Sequence, residues 1–313
     1  MARTGATPLA RAEQFVWLTA RVLEQRRFAY HFPSGSFGEE DRSRAADAVE
    51  AALAAYGTAD GGYGYALEPD LRGPVGQPLH AALALRILDG VGRCHGRRTE
   101  RLCQYLTEIS NDDGALPAVH PSLRGHPAAP WIPVVDDPPS DLLTTGPVVG
   151  LLHRNEVWHA WLFRATDFCW SAVETLERTH PYEVMAAVAF LDGAPDRSRA
   201  AAAAERLGRL VREQGLAVLE PDRSGAYPLP EGYGPEEYHY AHDYARDPGS
   251  LARRWFTDAE MERSLDHLAD TQQDDGGWPI RWRAWAPGTA LEGRPMVTLD
   301  ALLTLRAFGR PLA

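Results

Sequence analysis

The chain contains no lysine, since all 32 of its basic residues are arginine. This absence excludes Schiff-base catalysis and a P-loop lysine. Cysteine is nearly as scarce: only Cys94, Cys103 and Cys169 occur, and no two of them form a CxxC pair. We therefore expect reduced thiols and a cytoplasmic setting.

Long hydrophobic runs are also absent. No stretch reaches about 18 apolar residues, and the start of the chain lacks the apolar core of a signal peptide, so we expect no transmembrane segment. The net charge of −11 argues against nucleic-acid binding. No Pro/Gly/Ser-rich linker divides the 313 residues, which favours one domain over 1–313. Apolar residues within 111–140 and 217–234 indicate packed loops.

A repeated turn organises the chain. A polar residue followed by glycine comes after an amphipathic segment at four places, which begin at Asp60, Asp113, Ser224 and Asp275. The intervals are 53, 111 and 51 residues, and the double interval contains a further turn at 179–182. Repeats of this length that pair helices predict stacked helical hairpins.

The two helices predicted for each repeat differ in kind. The amphipathic segments are 41–56, 98–109, 158–178, 196–214 and 258–271. The segments that are apolar almost all round are 79–88, 142–152, 184–191 and 297–305. A helix that is apolar on every side must be buried on every side. With a first helix at about 8–30, the pattern predicts an all-α, (α/α)6-type toroid of five to six hairpins, amphipathic helices outside and apolar helices inside.

The most specific motif lies in residues 263–278. Five residues match the QW motif of squalene-hopene-type triterpene cyclases: Arg263, Leu268, Gln272, Gly276 and Trp278. The chain therefore resembles the terpenoid cyclase and prenyltransferase superfamily. The resemblance implies an α/α toroid and an isoprenoid substrate, with the motif as a structural brace. The chain departs from the triterpene cyclases in having one toroid where they have two domains, and in lacking their DxDD acid motif.

One predicted inner segment, 236–246, is polar. It offers four candidate catalytic residues: Glu237, His239, His242 and Asp243. The last three lie at i, i+3 and i+4, so a helix would place them on one face. Local breaks in a consistent pattern tend to mark functional sites. The alternative is a capping or surface helix whose polar groups are solvated.

A second polar group precedes the first apolar helix. Glu68, Asp70 and Arg72 are candidates to bind a polar head group, and His80 is a further substrate-binding candidate. The alternative is that the loop residues cap the helix and pair with one another.

Aromatic residues supply the remaining substrate-binding candidates. They are Tyr182, Tyr238, Tyr244, Trp282 and Trp285. Their faces suit a cationic intermediate or a sugar ring, and core packing is the alternative.

Asp141 stands directly before an apolar helix, at the place where the resemblance implies the acid of class II cyclases. Protonating an alkene needs a carboxyl group held neutral in a dry cavity. Asp141 is therefore the predicted general acid, and an ordinary N-cap is the alternative. Asp136 and Asp137 fall one residue short of the DDxxD magnesium motif.

Zinc is the weaker hypothesis. Asp167 and Cys169 resemble the Asp-x-Cys ligand pair of prenyltransferase β subunits, and His239 or His242 would complete the set. Two residues apart on a helix, however, the side chains of Asp167 and Cys169 diverge. We predict no cofactor, with zinc or magnesium as the alternatives.

The leading hypothesis is an enzyme that cyclises a small apolar, isoprenoid substrate by acid-initiated chemistry. The first alternative is a carbohydrate-active enzyme that uses paired carboxylates, drawn from Glu68, Asp70, Glu237 and Asp243. The others are a zinc-dependent prenyltransferase-like enzyme and a non-catalytic protein that binds a protein partner.

Overall fold

The computed structural model describes residues 7–312. Over this range the chain forms α-helices, short 3-10 segments and isolated β-bridges, with no strand, which confirms the all-α prediction. The α-helices are α1 (Pro8–Thr19), α2 (Val22–His31), α3 (Glu39–Ala54), α4 (Pro78–Gly90), α5 (Gly96–Ile109), α6 (Leu142–Arg154), α7 (Trp161–Thr175), α8 (Pro181–Gly193), α9 (Arg197–Glu213), α10 (Ala241–Tyr244), α11 (Asp258–Asp270) and α12 (Pro287–Ala307).

Contacts divide the chain into two compact units. One is Leu53–Glu213, and the other combines Met1–Ala52 with Gln214–Ala313. The single domain over 1–313 stays a prediction. None of the helices described for residues 7–312 is long and apolar enough to cross a membrane.

In the Leu53–Glu213 unit, apolar and amphipathic helices alternate along the chain. The helices α4, α6 and α8 are buried on nearly all sides, whereas α5, α7 and α9 each bury one face. The buried face of α5 includes Leu102, Leu106 and Ile109, as their spacing predicts. The alternation of two helix types is therefore confirmed within this unit.

The helices α6 and α8 approach closely because glycine lies at their contact. A Cβ atom at Gly146 would stand 2.8 Å from the carbonyl oxygen of Ala186, and one at Gly150 would stand 2.1 Å from that of Ala189. Gly193 meets the carbonyl of Gly150 in the same way. These contacts advance in the same direction along both helices. The two helices therefore run parallel, and their first turns lie side by side.

In the other unit, the 263–278 motif holds the end of α11 against α1 and α12. The Gln272 side chain donates a hydrogen bond to the carbonyl oxygen of Pro8 (2.8 Å). The Trp278 indole donates to the carbonyl of Leu268 (2.7 Å), and the Trp278 backbone N–H donates to the Thr298 hydroxyl (2.9 Å). These bonds join segments far apart in sequence, which is the role of a brace.

The predicted polar helix over 236–246 is wrong: only the single turn α10 is helical. The preceding residues are held in an extended conformation, because the Val218 N–H donates to the carbonyl of His239 (2.8 Å) and Val218 forms a parallel bridge with Tyr240. His239 is therefore outside the helix, and the shared helical face predicted for it with His242 and Asp243 does not form.

The predicted first helix over 8–30 is two helices. Ala20 and Arg21 have extended backbone conformations and separate α1 from α2. The Gln25 side chain donates a hydrogen bond to the carbonyl of Ala20 (3.2 Å), which satisfies a backbone acceptor at the break. Neither glycine nor proline marks this break in the sequence.

Candidate functional site

Asp141 lies at the start of α6 and caps it. One carboxyl oxygen accepts the Leu143 N–H at 2.5 Å, and the Asp141 carbonyl accepts the Thr145 hydroxyl at 2.6 Å. The structure therefore confirms that Asp141 is the N-cap of α6. Burial nevertheless raises the pKa of Asp141 above its ordinary value, although the Leu143 N–H opposes the shift. The role of Asp141 as an N-cap is therefore compatible with a raised pKa.

The start of α8 places a second acid near Asp141. The negative charge of Glu183 also contributes to the raised pKa of Asp141. Glu183 accepts a hydrogen bond from the Thr179 hydroxyl at 2.7 Å, and Tyr182 beside it is half-buried. Two acids thus lie at the neighbouring N-terminal ends of α6 and α8, which run parallel.

The polar loop before α4 is tied down by backbone hydrogen bonds. Glu68 accepts the Asp70 N–H (2.8 Å), the Asp70 carbonyl accepts the Ala129 N–H (2.9 Å), and the Arg72 N–H donates to the Pro127 carbonyl (2.9 Å). Segment 111–140 therefore packs against this loop, as predicted. The side chains of Glu68, Asp70 and Arg72 are half-buried, and their role in binding a head group stays a prediction.

His80 is fully buried, which argues against substrate binding. Its ring nitrogens lie 3.2 Å from the carbonyl oxygen of Tyr63 and 3.3 Å from that of Glu68. Both contacts are to backbone oxygens of the preceding loop. His80 therefore contacts this loop from inside α4, and its role in substrate binding stays a prediction.

In the other unit, Asp243 forms a buried bidentate ion pair with Arg281. The two guanidinium nitrogens approach the two carboxylate oxygens at 2.5 and 2.9 Å, and the Tyr240 N–H donates to the same carboxylate at 2.8 Å. Arg281 also donates to the Tyr238 carbonyl (2.7 Å). Burial opposes ionisation of Asp243, but the charge and hydrogen bonds of Arg281 outweigh it and hold the pKa of Asp243 far below its usual range, which does not favour a role as proton donor.

The two histidines beside this ion pair are buried and neutral at pH 7. Burial lowers the pKa of both His239 and His242 to about 4. His242 contacts the Ser264 hydroxyl through Nδ1 at 2.7 Å, and its Nε2 lies 3.7 Å from Asp243. Serine, histidine and aspartate are thus adjacent, but Ser264 is buried and already bound by the His242 N–H. The arrangement does not present a nucleophile.

The other candidates of this unit serve local contacts. Glu237 is buried and accepts the Gly234 N–H at 2.6 Å. Tyr244 is buried and donates its hydroxyl proton to the Leu216 carbonyl at 2.6 Å. Tyr238, Trp282 and Trp285 are half-buried. For these residues, substrate contact stays a prediction.

The predicted zinc pair does not form. Cys169 is fully buried in α7, whereas Asp167 is exposed on another side of the same helix. Within residues 7–312, no three His, Cys, Asp or Glu side chains are grouped so as to hold a metal ion. Asp136 and Asp137 are exposed, and Asp136 pairs with Arg124.

Sequence reasoning missed Arg281, the partner of Asp243. The pair is separated by 38 residues, and a single arginine in a loop carries no pattern that would indicate the contact. Ser264 lies within the 263–278 motif, but nothing in the motif indicates a polar contact for it. Its two bonds to His242 come from the packing of α10 on α11.

Comparison with known proteins shows the fold. No family model and no curated protein matches the chain. Among solved structures, a protein from Actinoplanes is similar with a TM-score of 0.60 and 18% identity, over 96% of this chain and 98% of that one.

The type II terpene cyclase MstE from Scytonema is also similar. Its complex with the substrate geranylgeranyl dihydroxybenzoate gives a TM-score of 0.51 at 12% identity, over 96% of this chain and 87% of that one. Its complex with the product merosterolic acid A gives 0.53 at 12% identity, over 96% and 86%. The chain thus has the fold of the terpenoid cyclase α/α toroids, which confirms the predicted resemblance at the level of fold. A shared fold does not by itself establish a shared activity.

Proposed function

We propose that this protein is a class II-like terpenoid cyclase that uses Asp141 as its general acid. The observation that carries the proposal is the environment of Asp141. Its carboxyl group stands at the start of an inner helix, and burial and Glu183 both raise its pKa. A raised pKa favours the protonated form of the carboxyl group, which is the form that can donate a proton to an alkene.

The chemistry is an isomerisation that needs no external reagent. The Asp141 proton adds to one carbon of a terminal alkene, and the π electrons of a second alkene attack the cationic carbon that results. A new carbon–carbon bond closes the ring, and a neighbouring carbon then loses a proton to solvent, which neutralises the product. Solvent returns a proton to the Asp141 carboxylate, so the reaction has no net change in composition.

The substrate we propose is a linear polyprenyl chain with a polar head group. The similarity to MstE, whose structure contains a geranylgeranyl compound, supports this class of substrate. The buried, apolar inner helices α4, α6 and α8 are consistent with an apolar ligand. We also propose that the chain forms a single domain of five to six helical hairpins.

The test is to incubate purified protein with geranylgeranyl dihydroxybenzoate, farnesyl diphosphate and geranylgeranyl diphosphate. We expect at least one product with the mass of its substrate and a different chromatographic retention. Asp141→Asn should abolish this product without unfolding the protein, because asparagine is also a good N-cap.

The matched control is Asp137→Asn, which changes an exposed aspartate four positions away. This variant should retain full activity. Product formation by Asp141→Asn at the wild-type rate would refute the assignment of the acid. If wild-type protein leaves all three substrates unchanged, the proposal fails for these polyprenyl compounds.

A further inference from the structure

Arg27 is a buried cation without a close anionic partner. It lies on α2 with 4% of its surface exposed, and its Nη1 has no hydrogen-bond partner within residues 7–312. The one carboxylate oxygen near it belongs to Asp300 of α12, at 3.9 Å from Nη2. A buried guanidinium normally has its donors satisfied, because desolvating an unpaired charge is costly.

Two further guanidinium groups, which we call the rim, lie near the C-terminal end of α2, where their charges and that of Arg27 act on His31. Arg306 donates from Nη1 to the carbonyl of His31, one turn beyond Arg27, and stacks over Phe32 at 4.7 Å. Arg42 lies 5.8 Å from the ring centre of Tyr30. Both side chains belong to exposed residues, so the cluster reaches the surface.

The arginines of the rim repel one another. Burial and the nearby charge of Arg42 lower the pKa of Arg306. Neither Arg42 nor Arg306 has an ion-pair partner within the described part of the chain. Like charges held together at a surface are stabilised when an anion lies between them.

One carboxylate on each of α2, α3 and α12 pairs with an arginine outside the group formed by Arg27, Arg42 and Arg306. Asp300 binds Arg246 at 3.0 Å, and buried Glu24 binds Arg21 at 2.7 Å. On α3, Glu40 pairs with Arg44. Four guanidinium groups lie in this region: Arg27 and Arg246 approach the Asp300 carboxylate, and the positive charges of Arg27, Arg42 and Arg306 act on His31.

We propose that Arg27, Arg42 and Arg306, with the half-buried His31 between them, form a binding site for a phosphate-type dianion. Guanidinium groups bind phosphate oxygens in bidentate fashion. A phosphate dianion neutralises more of the charge of three guanidinium groups than one carboxylate does. His31 is neutral and contributes a ring nitrogen that can donate or accept. The site is independent of the proposed cyclase activity.

The experiment is calorimetric titration of the intact protein with inorganic phosphate and with inorganic diphosphate. We expect saturable binding, weakened by added salt, with diphosphate tighter than phosphate. Arg306→Gln changes an exposed residue and should weaken the affinity by about tenfold or more. Arg27→Gln should remove binding, provided that circular dichroism shows a folded protein.

The matched control is Arg209→Gln, an exposed arginine of α9 that pairs with Glu205. It should bind phosphate as the wild type does. Absence of saturable binding by the wild type, or an equal affinity in Arg306→Gln, would overturn the proposal. If Arg306 served only to bind the end of α2, its loss would lower stability and leave phosphate affinity unchanged.

Titration with hexyl phosphate distinguishes a site for free phosphate from a site for the phosphate group of a larger ligand. Tighter binding of this ester than of inorganic phosphate supports a site for the phosphate group of a larger ligand. Equal or weaker binding supports a site for free phosphate. Because all these titrations measure binding alone, they separate failure of this site from failure of the Asp141 mechanism.

Discussion

His242 of α10 and Ser264 of α11 are joined by two hydrogen bonds. The His242 backbone N–H donates to the Ser264 hydroxyl oxygen at 3.1 Å, and the hydroxyl lies 2.7 Å from Nδ1 of the same histidine. The hydroxyl donates to Nδ1 if the imidazole is neutral and carries its proton on Nε2. That tautomer also directs an N–H toward Asp243, 3.7 Å away.

Replacing Ser264 by alanine should destabilise the protein by about 1–3 kcal/mol. The substitution leaves the buried N–H and Nδ1 of His242 without their partner, and unsatisfied buried polar groups carry this cost. Urea unfolding followed by circular dichroism measures the change. Ser171→Ala, at an exposed position of α7, should change stability by less than about 0.5 kcal/mol. Equal stability of the Ser264 variant and wild type would contradict this account.

The protein should lose stability as the pH falls from 6.5 to about 4. In the folded state the pKa of His239 and of His242 is lowered from 6.5 to about 4, mainly by burial. The unfolded chain therefore binds protons more tightly in this window, so acid favours unfolding. Each imidazole contributes about 3 kcal/mol that is present above pH 6.5 and lost toward pH 4. Asp243 remains ionised throughout this window.

The pH dependence can be assigned by substitution. His239→Gln removes one of the two imidazoles, so its midpoint of urea unfolding should vary less with pH than that of the wild type. His95→Gln, at an exposed position, should keep the wild-type profile. If the unfolding midpoints of His239→Gln and wild type varied equally with pH, the buried imidazole of His239 would not be the source of the pH dependence.

Breaking the ion pair between Asp243 and Arg281 should cost about 3–5 kcal/mol. Arg281→Gln leaves a carboxylate that is 10% exposed without its cationic partner. The double variant Arg281→Gln with Asp243→Asn removes the charge as well and should recover part of the loss. A double-mutant cycle of unfolding free energies measures the coupling.

The exposed pair Arg209 and Glu205 of α9 provides the comparison for this cycle. Its side chains are 59% and 78% exposed, so its coupling should be below about 0.5 kcal/mol. A coupling between Asp243 and Arg281 as small as this would show that solvent already screens the buried pair.

The local patterns of the sequence were sufficient to predict most helices. The spacing of Leu102, Leu106 and Ile109 predicts the buried face of α5, and the fully apolar run from Leu142 predicts α6. Asp141 could be predicted to cap α6 because aspartate directly precedes that run. These inferences need only neighbours within a few turns.

Contacts between distant segments could not be predicted in this way. The backbone of His239 pairs with Val218, and this pairing replaces the helix that local spacing favours. Arg27 belongs to α2, yet its exceptional feature is a buried Nη1 atom without a hydrogen-bond partner among the described residues, which only tertiary packing reveals. Local periodicity therefore predicts elements, whereas the polar clusters depend on tertiary pairing.

The contact between α6 and α8 also depends on tertiary packing, and a substitution at Gly150 tests it. Gly150→Ala would place a Cβ atom 2.1 Å from the carbonyl oxygen of Ala189, which is backbone and cannot rotate away. The helices must separate, so the gain in helix propensity of alanine is outweighed by lost packing. We expect a loss of about 1–3 kcal/mol in the unfolding free energy, measured with urea.

Gly225→Ala is the matched control, since nothing lies within 4 Å of a Cβ atom built at Gly225. Its stability should equal that of wild type or rise by up to about 1 kcal/mol, because alanine restricts the unfolded chain. A Gly150→Ala variant as stable as Gly225→Ala would mean that α6 and α8 do not make the close approach described. Because Asp141 caps α6, a Gly150→Ala variant that stays folded should also show whether displacing α6 changes the proposed activity of Asp141.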